Sequence, residues 1–509
     1  MITHSRVSEF VTRQQVGLGL GPALFVGVLL VSPFAIPPSA NAALASTLWI
    51  AAWWITEAIP IPATSLLPVV LFPLTGVIDT AGATAPYADP VVFLLLGGFL
   101  LALGIERWGL HRRIALTVVS HVGVRADRLL LGFMLATAFL SMWISNSATA
   151  MLMVPIGTAV IVSIGTAEES DRAPVEGDEG NELVAGVDSD PDDRPATGFG
   201  VALMLGIAYS ASIGGVTTLV GSPPNAVFAG VAASRLDVQI GFLDWIVFVG
   251  PLSIVFLFVT WVVLVKLLRP EIPRDRGAET VIRAQREELG RTSRGERRVL
   301  VVFTLVAAGW LLRPFVLQPL FPAVTDAVVA IVGGVLLFVV PVDYETREFL
   351  LDWRDVARLP WGVLLLLGAG FSLANGFRES GLDTVIAEGL AGISGVPVVV
   401  LILVIATVVV FLTEVTSNTA TATVFMPIMI SLGVTLGESP LVLMATAALA
   451  ASMAFMLPVA TPPNAVVFGS GYVTVPQMSR IGLWLNLLGI VAIVVLTYLW
   501  LPIAFAIGG

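Results

Sequence analysis

Two short polar motifs interrupt long apolar runs of this chain, and they are near copies of each other: Ser145-Asn146-Ser147 within SNSATA, and Ser417-Asn418-Thr419 within SNTATA. A second pair accompanies them, Gly221-Ser222-Pro223-Pro224-Asn225-Ala226 and Ala460-Thr461-Pro462-Pro463-Asn464-Ala465. A shift of 272 positions carries Ser145 onto Ser417. Without a gap it also carries Gly98-Phe99 onto Gly370-Phe371, Gly104 onto Gly376, Gly109-Leu110 onto Gly381-Leu382 and Pro155 onto Pro427. The Pro-Pro pair is offset by 239 instead, and the difference is close to the length of the acidic stretch from about Ala167 to Gly198. The chain therefore reads as an internal duplication with one insertion in its first half.

The medium is set by composition. Of 509 residues, 57% are hydrophobic and 12% charged, with a mean hydropathy of +0.94, which is outside the range of soluble domains. Runs of the roughly 20 apolar residues needed to cross a bilayer begin near Val16, Thr47, Pro62, Pro90, Val201, Phe242, Leu300, Val324, Pro360, Leu441 and Ile481. The expected fold is an all-α polytopic membrane protein of about 11 transmembrane helices plus two re-entrant hairpins. Ala40-Asn41-Ala42 resembles a signal-peptidase site, but a run this long before many later spans reads as an uncleaved first helix. With no cysteine, disulfides are excluded.

Charge places the loops. The net charge of −10 is concentrated in the Glu/Asp-rich stretch 167–198, which reads as a solvated, disordered linker. Lys266, the only lysine, and nine arginines from Arg269 to Arg298 crowd one connection, which is expected to be cytoplasmic with a helix at the membrane surface. That charge suits a lipid surface rather than nucleic acid. Arg107, Arg112, Arg113, Arg125 and Arg128 mark a second cytoplasmic turn. Arg6 and Arg13 put the N-terminus inside, and the C-terminus is expected outside. The segment around Gly98-Phe99 then runs inward and its partner around Gly370-Phe371 outward, which makes the duplication an inverted repeat of the kind secondary transporters use.

A Ser-Asn-hydroxyl tip cannot face lipid, because each unpaired dipole would cost several kcal/mol there. Both tips are expected at the ends of hairpins 128–165 and 396–435, lining a shared cavity, with half-helices beginning at Ala148 and Ala420. The Pro-Pro motifs would break long helices, 201–235 and 441–470, and free backbone carbonyls. Hydroxyls of Ser141, Ser145, Thr413 and Thr416, amide oxygens of Asn146 and Asn418, and carbonyls near Gly221 and Ala460 form an oxygen set suited to Na⁺. Zn²⁺ is disfavoured, since His4, His111 and His121 all lie outside the motifs. No Lys or Arg lies in either motif pair, so bound Na⁺ would supply the positive charge a dianion needs.

The paired SN[ST]ATA and [GA][ST]PPNA motifs, WWITEAIPIPATSLLPVVLFPLTGV from Trp53, LPWGVLLLLGAGFSLANGF from Leu359 and FMLPVATPPNAVVFGSG from Phe455 resemble the divalent anion/sodium symporter family. The resemblance covers nearly the whole chain except the acidic insert and the basic loop. It implies a homodimeric elevator transporter with Na⁺ as coupling ion and C4 dicarboxylates (succinate, malate, fumarate) as substrate in the cytoplasmic membrane. One Na⁺ site would use Ser141, Ser145, Asn146 and Gly221, the other Thr413, Thr416, Asn418 and Ala460. The dianion would touch Ser145, Asn146, Ser147, Ser417, Asn418 and Thr419, with Ser222, Pro223, Thr461 and Pro462 closing around it. Ser147 stands where the family usually has Thr.

The matching division of the chain is 1–88 as mainly scaffold, 89–241 as first-repeat transport elements, 242–358 as scaffold with the basic segment 269–298, 359–480 as second-repeat transport elements, and 481–509 as the last helix. Alternative readings are a dicarboxylate exchanger, which would place a basic side chain in an ion site, and a Na⁺-coupled carrier of sulfate, citrate or another oxyanion. An enzyme is disfavoured, because Glu57 and Glu414 have no His or Cys beside them. A passive channel fits broken inverted repeats poorly.

Overall fold

A computed structural model describes residues 3–32, 36–123, 125–171, 198–270, 276–390 and 395–507. These are almost entirely helical; a two-stranded ribbon, Pro341–Asp343 with Glu348–Phe349, is the one sheet among the described residues. Among the described residues, eight helices are long and apolar enough to cross a membrane, and four apolar helices are shorter. Three of the expected crossings fall in that shorter group: Ile61–Thr75, Asp326–Val339 and Pro440–Ala450. Prolines account for the first, since Pro60, Pro62, Pro68 and Pro73 punctuate it and Ile61–Thr64 and Leu67–Thr75 form separate helices. Asp326–Val339 stops before Pro341, which opens the small ribbon.

Each half contains the same two devices. The first hairpin is Ala126–Ser141 and Asn146–Asp171, and the first broken helix is Gly198–Val216 and Pro223–Leu236. The second hairpin is Val398–Thr413 and Asn418–Leu436, and the second broken helix is Pro440–Ala450 and Pro462–Gly469. Two expected boundaries shift. The half-helices begin at Asn146 and Asn418 rather than Ala148 and Ala420, because Ser145 and Ser417 take the capping positions. Their hydroxyls accept from the amides of Ala148 (3.3 Å) and Ala420 (3.5 Å). The first hairpin also stays helical through Asp171, past its expected end near 165, so residues 167–171 of the acidic stretch are helix. The expectation for most of that stretch, 172–197, lies outside the described residues.

The halves interlock at the centre. Gly198–Val216 is buried from Phe199 onward and packs on both arms of the first hairpin. Such all-round apolar helices occur in cores. Each Pro-Pro half-helix, in contrast, packs against the opposite hairpin: Pro223–Leu236 on Asn418–Leu436, and Pro462–Gly469 on Asn146–Asp171. Gly230 lies against the Phe371 ring, where any Cβ would collide with it.

The basic connection folds back onto the protein. Helix Arg276–Glu288 buries Ala278 and Ile282 against Leu110–Val122 and Asn146–Asp171. Arg113 reaches Glu296 at 2.7 Å and Arg112 reaches Glu288 at 2.9 Å. Further along, Asp326 accepts from Arg313 (2.6 Å) and from the Phe242 amide (2.8 Å). Asp326→Leu strands both donors in a nearly buried site. A loss on the order of 3 kcal/mol is expected, read as a lower thermal midpoint of the purified protein.

Candidate functional site

The hairpin tips are built alike. In the first, Ser141 Oγ donates to the Ala211 carbonyl (2.7 Å) and lies 2.6 Å from Asn146 Oδ1. In the second, Thr413 Oγ1 lies 2.7 Å from Asn418 Oδ1 and 3.0 Å from the Ala451 carbonyl, with its single proton to place between the two oxygens. Each tip asparagine is thereby held by the hydroxyl five residues before it. Turning the Asn146 amide by half a turn would set its NH₂ 2.6 Å from Ser141 Oγ, 3.2 Å from the Ala211 carbonyl and 3.3 Å from the Gly221 carbonyl. In the unturned position the amide oxygen faces these oxygens. Such a cluster is satisfied either by amide donors or by a small hard cation among the oxygens.

The Pro-Pro breaks free carbonyls, and an asparagine gathers them. Asn225 Nδ2 lies within donating distance of the carbonyls of Gly215 (3.2 Å), Val216 (3.1 Å) and Thr218 (2.7 Å). Asn464 Nδ2 does the same for Ala454 (3.2 Å) and Leu457 (3.0 Å). The 239 shift relates Gly215 to Ala454 and Thr218 to Leu457, so the stitch is repeated in register. Thr461 caps its half-helix by accepting from the Asn464 amide (3.3 Å), whereas Ser222 makes no capping bond.

Tips and breaks meet at one cavity of about 810 Å³, within the ~300–1,000 Å³ usual for small-molecule sites. Ser145, Asn146, Ser147, Gly221, Ser222, Pro223, Thr416, Ser417, Asn418, Thr419, Ala460, Thr461 and Pro462 all line it. Ser141 and Thr413 do not; both are fully buried behind the asparagines they hold. Thr416 reaches the cavity with its hydroxyl already engaged, donating to Leu412 O (2.8 Å) and sharing a hydrogen bond with Thr421 (2.7 Å). Glu57, Ile61, Phe99, Pro360 and Val363 also line it.

Electrostatically, the cavity is built from helix ends. Four helices start at its wall, at Asn146, Pro223, Asn418 and Pro462; the two tip helices open with backbone amides that have no intrahelical acceptor, whereas the two Pro-Pro helices carry no N–H on their first two residues and offer only the positive end of the helix dipole. Helix N-termini attract anions. No basic side chain lines the cavity among the described residues, and Glu57 is its one charged group.

Several participants were not legible in the motifs. Ala211 and Ala451 contribute through backbone carbonyls, which no residue type announces. Asn225 and Asn464 were visible as the last polar residues of both PPN motifs, yet their roles are structural and depend on the fold. Gly215 faces Asn146 so closely that any Cβ would collide with its side chain, and the Gly214-Gly215 pair was the available signal. At Gly221 a Cβ would lie 2.5 Å from the Gly215 carbonyl. Gly221→Ala is expected to push the break away from the Asn146 tip at a cost of about 1–3 kcal/mol, read as a lower thermal midpoint of the purified protein.

A family model described as the sodium:sulfate symporter transmembrane region matches residues 18–507. A curated relative, the sodium-dependent dicarboxylate transporter SdcS of Staphylococcus saprophyticus, is 43% identical over 494 residues, covering 96% of this chain and 92% of that protein. SdcS of Staphylococcus aureus (strain MRSA252) is 41% identical over 503 residues, covering 98% and 93%. Among solved structures, the Alcanivorax borkumensis YdaH transporter aligns with a TM-score of 0.56 at 14% identity, over 93% of this chain and all of that one, a likeness of fold alone.

Proposed function

Because this chain belongs to the sodium:sulfate symporter family, the divalent anion/sodium symporters, we propose that it is a secondary transporter coupling Na⁺ to the movement of C4 dicarboxylates. The observation that carries this is the cavity: both motif pairs line it, four helices begin at its wall, and no basic side chain lines it among the described residues. A dianion there meets only partial positive charges. Cations on the oxygen clusters behind Asn146 and Asn418 add the missing charge, which links the two bindings thermodynamically. Succinate, malate and fumarate carry a carboxylate at each end, and one end can meet each SN tip.

Ser141, Asn146, Gly221 and the Ala211 carbonyl would hold one Na⁺, and Thr413, Asn418, Ala460 and the Ala451 carbonyl another. Ser145, Ser147, Ser417, Thr419, Ser222, Pro223, Thr461 and Pro462 would enclose the dianion. The lack of a basic lining residue among the described residues favours symport over an exchanger in which a side-chain cation replaces Na⁺. We further propose alternating access in which hairpins and broken helices move against helices 1–88 and 242–358, in a homodimer embedded in lipid, with the N-terminus cytoplasmic and the C-terminus outside.

Purified protein in vesicles should accumulate labelled succinate only under an inward Na⁺ gradient. Uptake unchanged when choline or K⁺ replaces Na⁺ would sink the coupling. Ser147→Thr restores the usual family residue and adds one methyl to the cavity wall. Succinate uptake is expected to stay within about threefold while the ranking of competing dianions changes, read in a competition panel.

A further inference from the structure

The two halves match at the asparagines but differ one residue from the buried hydroxyls. Thr413 is followed by Glu414, whereas Ser141 is followed by Met142. Glu414 is 3% exposed and accepts four hydrogen bonds: from the amides of Phe455 (2.8 Å), Met456 (2.9 Å) and Leu457 (3.0 Å), and from Asn486 Nδ2 (2.7 Å). That is the acceptor set of an ionised carboxylate. Its hold on these three amides explains why the second helix ends at Ala450, when the 239 shift from Val216 would carry it to Phe455.

A negative charge is therefore built in directly behind the second cluster. Among the described residues nothing comparable stands behind the first. Glu106 and Arg358, beside the first hairpin, lie 3.7 Å apart and offset each other, and Glu57 faces the open cavity that both tips share. At an effective dielectric of about 20, a unit charge within ~10 Å of a cation changes its affinity on the order of tenfold or more.

We propose that Glu414 makes the two cation sites unequal, so that the Thr413/Asn418 site binds Na⁺ more tightly and fills first. The Ser141/Asn146 site, with no fixed charge nearby, fills together with the dianion, whose carboxylate supplies the counter-charge. This rests on the Na⁺-coupled reading above. Glu414 acts as a positioning and tuning residue, since its own oxygens are occupied by the four donors.

The test is a Na⁺ titration of the full-length purified protein, with choline holding ionic strength constant. It is read by thermal stabilisation, first without and then with succinate. The expected result is one Na⁺ phase without succinate, lost in Asn418→Ala and kept in Asn146→Ala, and a second phase once succinate is added. Glu414→Gln should move the first phase to about tenfold higher Na⁺ or more, Glu414→Asp much less, and Asn486→Leu, which keeps the charge, much less again. Equal loss of the phase in the two asparagine variants, or the opposite assignment, overturns the proposal even if Glu414→Gln fails to fold. So does a Glu414→Gln protein that titrates like wild type. A wild-type protein that binds succinate without any Na⁺ response would instead remove the coupled reading itself.

Discussion

Asn146→Ala and Asn418→Ala should each cut Na⁺-driven dianion uptake by about a hundredfold or more, while the protein still inserts and elutes as a folded species. Each asparagine faces two ways. Its amide closes the oxygen cluster with Ser141 and Ala211 or with Thr413 and Ala451, and its backbone opens a half-helix at the cavity wall. Contacts to charged groups are each worth roughly 1.5–3 kcal/mol, and removing the amide weakens the cation and, through it, the anion. Folding should survive because Ser145 and Ser417, which cap these helices, are untouched. Near-wild-type uptake by both variants would take these residues out of the transport site.

The second large effect is expected on stability. Asn225→Leu removes the Nδ2 group shared among three carbonyls at a position with no exposed surface, in a break flanked by buried helix on both sides. Each stranded carbonyl costs about 1–3 kcal/mol. A total on the order of 3 kcal/mol should appear as a clearly lower thermal midpoint, with uptake falling alongside. Asn464→Leu, which strands two carbonyls, should cost less. An Asn225→Leu protein melting with the wild type would mean that water or a neighbouring group already serves those carbonyls.

The contrast between these two asparagine pairs marks how far the sequence could be read. Asn146 and Asn418 stood out because a polar tripeptide in an apolar run has few uses, and its repetition at one register left fewer. Asn225 and Asn464 were equally visible but carried no sign of their task. Carbonyls set free at 215–218 can turn to water, to a neighbouring helix or to a side chain, and only the path of the chain decides. Glu414 shows the same limit. Its position beside Thr413 was plain, yet its partners lie 41 to 72 residues further on.

By itself the sequence determined the solvent, the duplication and the rule that the four polar breaks must be hidden together. Hydrocarbon offers no hydrogen-bond partners, so composition and repeat spacing suffice for those conclusions. The tertiary structure alone decided which break meets which. The Pro-Pro half-helices cross to the opposite hairpin, so each end of the cavity is assembled from both halves. It also decided that the carbonyls of Ala211 and Ala451 complete the oxygen clusters. Every residue carries a carbonyl, and only long-range packing selects the ones that face a site.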